Sequence, residues 1–156
     1  MPLKLAALLL SVMLATAMTG AGIRAADSVG TRTNPALPPG VLDTTWEWTW
    51  FGSGAEQFDV DDPERYTIAF FADGTVAIRA DCNRGRADYT LTPDGLIDLS
   101  PIGVTMMLCP EPSLGDRFVA ALEQVRLMFE KDGDFFLEAP IDSGTLRFRR
   151  QAKGGG

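Results

Sequence analysis

Three Asp-Gly dipeptides, each between two short runs rich in β-branched, aromatic and aliphatic residues, restrict the fold of this chain more than any other feature. They are Asp73-Gly74, Asp94-Gly95 and Asp132-Gly133. Both residue types tolerate positive φ angles, so the dipeptide is typical of tight hairpin turns. The flanking runs are Tyr66–Phe71 with Thr75–Cys82, Ala87–Thr92 with Leu96–Leu99, and Leu127–Lys131 with Asp134–Leu137. These pairs predict antiparallel hairpins rather than parallel crossovers.

A further predicted strand, Thr44–Phe51, alternates aromatic and polar residues. Trp46, Trp48 and Trp50 follow the period of two that places side chains on one face of a strand. Aromatic residues with this period most often belong to the core. If the face is exposed instead, the indoles form a surface that can stack on a sugar or an apolar ligand. A last strand is predicted over Thr145–Arg149.

A single helix is predicted between the second and third hairpins. Ser113 is a good N-cap residue, and Asp116 completes the pattern of a capping box. Apolar residues then recur at helical spacing along one face: Leu114, Phe118, Ala121, Leu122 and Val125. We therefore expect an α+β domain that is mainly antiparallel β-sheet, forming a curved sheet or open barrel with one covering helix.

The first 26 residues have the composition of a secretory signal peptide. The apolar run Leu5–Met18 is shorter than the roughly 20 residues needed to cross a bilayer, and small residues follow it. Residues 27–41 are rich in proline and glycine and predict a flexible leader, and residues 151–156 predict a disordered tail. The folded domain is expected over residues 42–150, in a protein that is periplasmic or secreted and has no membrane span.

The chain contains two cysteines, Cys82 and Cys109. In an exported protein, two cysteines most simply form a disulfide. A redox-active pair is the alternative, but such pairs normally occupy a Cys-x-x-Cys motif or include a lone thiol of low pKa. The spacing in this chain favours the structural disulfide.

The absence of histidine from the sequence excludes histidine-based catalytic triads and dyads, and zinc or haem sites with a histidine ligand. The net charge of −7 argues against nucleic-acid binding, because phosphate contacts require a dense basic surface. The acidic stretch Asp59–Glu64 lacks the spacing of a calcium loop. We predict no catalytic activity, no metal and no cofactor. A hydrolase that uses carboxylates alone is the less favoured alternative.

Two short motifs at a particular spacing carry a family resemblance. The first is Asp81-Cys82-Asn83, followed by Tyr89, and the second is Thr105-Met106-Met107-Leu108-Cys109-Pro110, ahead of the predicted helix. Together they resemble the META domain, a family that includes the HslJ-like heat-shock-inducible envelope proteins of bacteria. The resemblance spans about Leu42 to Arg149. It indicates as motif residues Asp81, Asn83, Tyr89, Thr105 and Met107.

The resemblance implies a small β-rich module of the cell envelope, in a family with a loose link to stress and no established reaction. We therefore expect an exported, non-enzymatic binding or structural protein. Its partner is expected to be an envelope protein or an apolar ligand, held by the sheet surface or by the loops around Asn83 and Thr105. The alternative is a secreted protease inhibitor that blocks its target with a rigid hairpin loop.

Overall fold

The computed structural model describes residues 37, 38, 40–99 and 101–152 of the 156-residue chain. A 3-10 turn covers Pro63–Arg65, and helix α1 covers Gly115–Gln124. The strands, numbered along the chain, are β1 Thr45–Gly52, β2 Gln57–Asp59, β3 Tyr66–Phe70, β4 Thr75–Ala80, β5 Asn83–Leu91, β6 Ile97–Leu99, β7 Gly103–Val104, β8 Leu127–Lys131, β9 Asp134–Ala139 and β10 Gly144–Arg150.

The strands form a sheet that curves until its two outer strands meet. Their order is β6-β5-β4-β3-β1-β10-β9-β8, with β2 added to β1 and β7 added to β5, and every strand pair is antiparallel. Where β6 meets β8, the Met128 N–H donates to the Gly95 carbonyl at 2.9 Å, and the Ile97 N–H donates to the Arg126 carbonyl at 3.0 Å. The sheet is thus a nearly closed barrel with a seam. This confirms the predicted α+β class.

Each predicted Asp-Gly hairpin is present, with β3–β4, β5–β6 and β8–β9 as its strands. The turn residues Gly74, Gly95 and Gly133 have φ angles of 86°, 83° and 85°, a region that residues with a side chain rarely adopt. The sequence does not predict β2 and β7, because strands of three and two residues carry too little alternation to be recognised.

A further hairpin, between β4 and β5, differs from the sequence prediction. β5 begins at Asn83 and not at Ala87, so only Asp81 and Cys82 separate the two strands. Asp81 adopts a φ angle of 63°, which makes this tight turn without a glycine. The turn escapes prediction because the first residues of β5, Asn-Arg-Gly-Arg, have low β-propensity and are paired by tertiary context.

The core is built around two tryptophans of β1. Trp46 and Trp48 are 1% and 0% exposed, and Trp48 stacks on Phe118 of α1 with ring centroids 5.0 Å apart. The pairing of β1 with β10 shifts register between Trp48 and Trp50, so Phe51 is buried and Trp50 is not. The prediction that three tryptophans share one face is therefore wrong. Trp46 and Trp48 cannot form a ligand surface, because they lie inside the protein.

The predicted apolar stripe of α1 packs inward, burying Phe118 and Leu122 within the helix and Val125 just after it. The helix begins at Gly115, one residue later than a cap at Ser113 would place it. The predicted capping box does not form. Instead, the Ser113 hydroxyl accepts a hydrogen bond from the Gly115 N–H at 3.2 Å, and the Tyr66 hydroxyl accepts one from the Leu114 N–H at 2.9 Å.

The packed domain begins before residue 42. Leu37 and Val41, which the sequence assigns to a flexible leader, are buried in the core. The Arg150 guanidinium donates to the Gly40 carbonyl at 2.9 Å, so the two ends of the domain lie side by side. The predicted signal peptide, the leader up to residue 36 and the tail residues 153–156 fall outside the described residues. Within those residues, no helix has the length and apolar character needed to traverse a membrane.

Candidate functional site

The two cysteines join the β4–β5 turn to the segment that precedes α1. Cys82 and Cys109 form a disulfide with their Cα atoms 5.6 Å apart, which confirms the predicted pairing. The bond closes a loop with a sequence separation of 27, and such a loop contributes about 3.5 kcal/mol in the chain-entropy model. Residues 105–109, which we call the exposed segment, are thereby fixed at one end.

The side chain of Asn83 binds the backbone in the middle of the exposed segment. The side-chain carbonyl of Asn83 accepts hydrogen bonds from the Met107 N–H at 2.7 Å and from the Thr105 hydroxyl at 2.9 Å. The side-chain amide donates to the Met107 carbonyl at 3.1 Å. Because Asn83 is only 8% exposed, water competes little for these bonds. One buried side chain thus fixes both backbone groups of Met107.

Thr105 links the other end of the exposed segment to β5. Its N–H donates to the Arg84 carbonyl at 2.9 Å, and its hydroxyl accepts from the Arg84 N–H at 3.0 Å. The preceding residue, Val104 of β7, pairs with Gly85 of β5. A Cβ atom at residue 85 would lie 2.5 Å from the Val104 Cγ1 atom, so this approach of β7 to β5 requires glycine.

An ion pair fixes the turn that carries Cys82. Arg65 donates to both carboxylate oxygens of Asp81, at 2.8 and 2.6 Å, and Asp81 is buried. These hydrogen bonds lower the pKa of Asp81 below its usual value, and burial opposes the shift without reversing it. The Arg65 guanidinium also donates to the Pro112 carbonyl at 3.2 Å. Arg65 therefore connects the turn to the chain that leads into α1.

The side chains of the exposed segment are apolar and lie in solvent. Met106 is 95% exposed and Leu108 is 99% exposed, whereas Met107 between them is 57% exposed. Residues 105–110 lie in no helix, turn or bend, and none has a positive φ angle, so the chain here is extended. In the part of the chain that the structure describes, no hydrogen bond involves the backbone groups of Met106 or Leu108. Alternate residues therefore present both their side chains and their backbone groups to a partner.

A groove of about 640 Å³ lies between the exposed segment and α1. Apolar side chains from both walls line it, including Ile102, Val104, Met106 and Val119. Two carboxylates of α1, Asp116 and Glu123, also line the groove. The surface is therefore apolar along the exposed segment and acidic along the helix.

Four of the five motif residues that the resemblance indicates lie together at the disulfide. They are Asp81, Asn83, Thr105 and Met107. Tyr89 lies towards the other end of β5, where its hydroxyl donates to the Phe71 carbonyl at 2.9 Å. Burial raises the pKa of Tyr89, which belongs to the core. The site is thus formed by the strand ends around the disulfide.

Sequence reasoning does not single out Arg65, Leu108 or the groove. Arg65 lies 16 residues from Asp81 along the chain and reaches it through the pairing of β3 with β4. Leu108 does carry a usable signal. The apolar run Met106–Leu108 stands just ahead of Pro110 and Pro112, and prolines at this spacing disfavour regular secondary structure. Apolar residues in such a segment are candidates for an exposed surface.

The fold and the site together define a class of protein: a small antiparallel barrel with a helix, in which a disulfide and a buried asparagine present an apolar segment to solvent. The sequence profile of the META domain matches residues 40–153, which is more than half of the chain. This chain therefore belongs to the META domain family, as its motifs predict.

Solved structures of other proteins share the fold. A DUF4847 family protein from Bacteroides vulgatus ATCC 8482 matches with a TM-score of 0.56 at 15% identity, covering 72% of this chain and 96% of its own. A protein whose structure was determined by NMR matches with a TM-score of 0.52 at 16% identity, covering 73% of this chain and 94% of its own. At these identities the similarity concerns the fold alone. No curated protein matches the sequence.

Proposed function

We propose that this chain is an exported, non-enzymatic binding protein of the bacterial cell envelope, and that a protein partner docks on the exposed segment and the groove beside it. The observation that carries this proposal is the exposure of Met106 and Leu108 on a segment that the protein holds rigidly. An apolar side chain gains nothing from exposure to water, and rigid exposed apolar surface marks interaction sites.

The rigidity of the exposed segment supports binding, because a segment that is already ordered loses little conformational entropy when a partner docks. The Cys82–Cys109 disulfide holds one end, and Asn83 holds the middle. The acidic side chains Asp116 and Glu123 in the groove favour a partner whose matching surface is basic.

A binding role is favoured over catalysis by the chemistry of the groups near the groove. Both cysteines are consumed in the disulfide, and the Asp81 carboxylate is paired with Arg65. Asp116 and Glu123 lie on the same helix, about 10.5 Å of helical rise apart, and do not face each other across a cleft as carboxylates that cleave glycosidic bonds do.

The predicted signal peptide and the disulfide both support export, since disulfides persist in oxidising compartments. In a bacterial host, the full chain is expected in the envelope or medium, with an N-terminus after Ala25 or Ala26 by mass spectrometry. A full-length chain that stays in the cytoplasm would contradict export.

The stress role rests on the family resemblance alone, and a deletion strain tests it by survival of envelope stress.

The binding surface is tested by site-specific photo-crosslinking in cells that express the full chain. A photoreactive phenylalanine analogue at residue 106 is expected to give discrete cross-linked protein species, which a second change, Leu108→Asp, removes. The matched control places the same analogue at residue 141, because Ile141 is also 95% exposed but lies in the turn before β10. Equal labelling from residues 106 and 141, or none from either, would contradict the proposed surface.

A further inference from the structure

The exposed segment combines three properties that a tightly binding, substrate-like inhibitor of a protease requires. Such an inhibitor presents an extended chain, an accessible side chain for the primary pocket of the enzyme, and backbone groups that pair with the enzyme cleft. Leu108 and Met106 are alternate residues whose side chains are almost fully exposed. Their backbone groups have no hydrogen-bond partner within the described residues.

The residues between and beside these two are held by the domain itself. Met107 is bound at both its N–H and its carbonyl by Asn83. Cys109, on the other side of Leu108, is bound by the disulfide to Cys82, the direct neighbour of Asn83. The peptide bond between Leu108 and Cys109 is therefore anchored independently on both sides. An enzyme that binds across this bond therefore contacts a chain whose position is fixed on both sides of the bond.

From this geometry we propose that the exposed segment inhibits an endopeptidase that cleaves after large apolar residues, with Leu108 in the primary pocket of the enzyme. Counted back from the bond after Leu108, Met106 is the third residue. Its backbone N–H and carbonyl would form hydrogen bonds with the enzyme, as the same groups of a substrate do. The inference rests on the proposed binding function and names its partner class. The carboxylates of Asp116 and Glu123 beside the segment favour an enzyme with a basic rim next to its cleft.

Inhibition of this kind needs no net chemistry, because the intact chain occupies the cleft. If the enzyme hydrolyses the bond after Leu108, one water is added, and the disulfide and Asn83 keep the new carboxyl and amino groups near each other. Re-formation of the bond releases that water. Without the hydrogen bonds from Asn83, the two new chain ends would move apart after cleavage. The cleaved protein would then dissociate from the enzyme as a product.

The first experiment titrates active-site-counted chymotrypsin and subtilisin with the oxidised, purified protein, using small fluorogenic substrates. We expect stoichiometric inhibition of at least one of these enzymes. Trypsin, whose primary pocket takes basic side chains, is the matched control and should be unaffected. The Leu108→Asp variant should weaken inhibition by roughly 100-fold, as loss of a central anchor does. Ile141→Asp, a change at an equally exposed apolar residue, should leave inhibition unchanged.

Two further variants test the assignment of Leu108 by gain of function. Leu108→Arg should convert the protein into a trypsin inhibitor, an outcome that loss of folding cannot imitate. Asn83→Ala should convert it from an inhibitor into a substrate, cleaved after residue 108 as seen by mass spectrometry. If trypsin inhibition follows from Met106→Arg and not from Leu108→Arg, the placement of Leu108 is wrong.

The absence of inhibition in every titration, together with no trypsin inhibition by the Leu108→Arg variant, would overturn the inference. The proposed binding function would still stand in that case if the analogue at residue 106 forms cross-links that the analogue at residue 141 does not. Failure of both the titrations and the cross-linking would remove both proposals.

Discussion

Two regions of this protein present large apolar side chains in opposite ways. Around β1 and α1, Trp46, Trp48 and Phe118 are at most 1% exposed, and each packs its ring against another buried aromatic ring. At the exposed segment, Met106 and Leu108 are at least 95% exposed, and polar groups and a disulfide hold the backbone beneath them. The first region is held by burial and the second by specific bonds.

The difference shows which interactions in this domain serve the fold and which serve a surface. Burial of apolar area stabilises a protein wherever the side chains meet, so the tryptophan core needs no particular partner chemistry. The exposed segment gains no such stabilisation and would be flexible without Asn83 and Cys109. The hydrogen bonds and the disulfide there maintain a shape, and a shape held in solvent is useful chiefly for recognition.

Removal of the Trp48 indole from the core should have the largest effect on stability. We expect Trp48→Ala to lower the free energy of unfolding by about 3–5 kcal/mol, because the indole is fully buried and its removal leaves a cavity. Urea titration followed by circular dichroism measures the change. Trp50→Ala in the same strand is the control, since Trp50 is only partly buried. Equal losses in the two variants would contradict the description of the core.

Removal of the disulfide tests how far the exposed segment depends on it. A Cys82→Ser, Cys109→Ser double variant should lose about 3.5 kcal/mol of stability, because the denatured chain regains the freedom of the closed loop. Hydrogen exchange at the two hydrogen-bonded amides of the segment, Thr105 and Met107, should rise more than exchange in β1. If exchange rises equally in both regions, the bond supports the whole domain and not the segment in particular.

Truncation of Asn83 should separate local order from global stability. Asn83→Ala removes the acceptor for the Met107 N–H and the donor to the Met107 carbonyl, and we expect a loss of about 2 kcal/mol. The isosteric Asn83→Asp variant keeps the acceptor but places a buried carboxylate oxygen against the Met107 carbonyl, so its loss should be at least as large as that of the alanine variant. NMR amide exchange at Met107 reads out the local effect. An unchanged Met107 amide in the alanine variant would argue against the proposed anchor.

The Asp81–Arg65 ion pair predicts a contribution to folding stability that is lost in acid. The hydrogen bonds from Arg65 lower the pKa of Asp81 in the folded protein, so the contribution is complete above the unfolded pKa of about 3.9. It is lost as the pH falls further, through the lower folded pKa. Urea midpoints between about pH 6 and pH 2.5 should therefore decline less in Asp81→Asn than in the parent protein. Asp94→Asn, in an exposed turn, is the control and should follow the parent.

The smallest effect on stability is expected at Leu108 of the exposed segment, and the buried Leu122 of α1 is its matched control. Leu108→Ala should change stability by less than about 0.5 kcal/mol, because its side chain lies in solvent. Leu122→Ala, the same change at a fully buried site in α1, should cost about 2–5 kcal/mol. A large loss at residue 108 would mean that Leu108 packs against the domain in solution.

The two regions also differ in how well the sequence predicts them. The hairpins around Asp73-Gly74 and Asp132-Gly133 follow from local turn chemistry and alternation, and the buried face of α1 follows from its period. The bulge that turns Trp50 away from the core does not, because one shifted residue leaves no trace in composition. At the site, the cysteine pairing is predictable because the chain has two cysteines and a predicted signal peptide. The bond from Asn83 to Met107 spans 24 residues and exists only after β4, β5 and β7 have paired.

The contact between Arg150 and Gly40 has a consequence for how this domain can be used as a building block. Because the chain enters and leaves the barrel at neighbouring points, the domain can be placed within a surface loop of another protein without separating the ends of that loop. Circular permutation should succeed for the same reason, with a short linker across the contact and new ends opened at the Asp132-Gly133 turn. Such a permutant would retain the exposed segment, since residues 105–109 lie far along the chain from the new ends and from the linker.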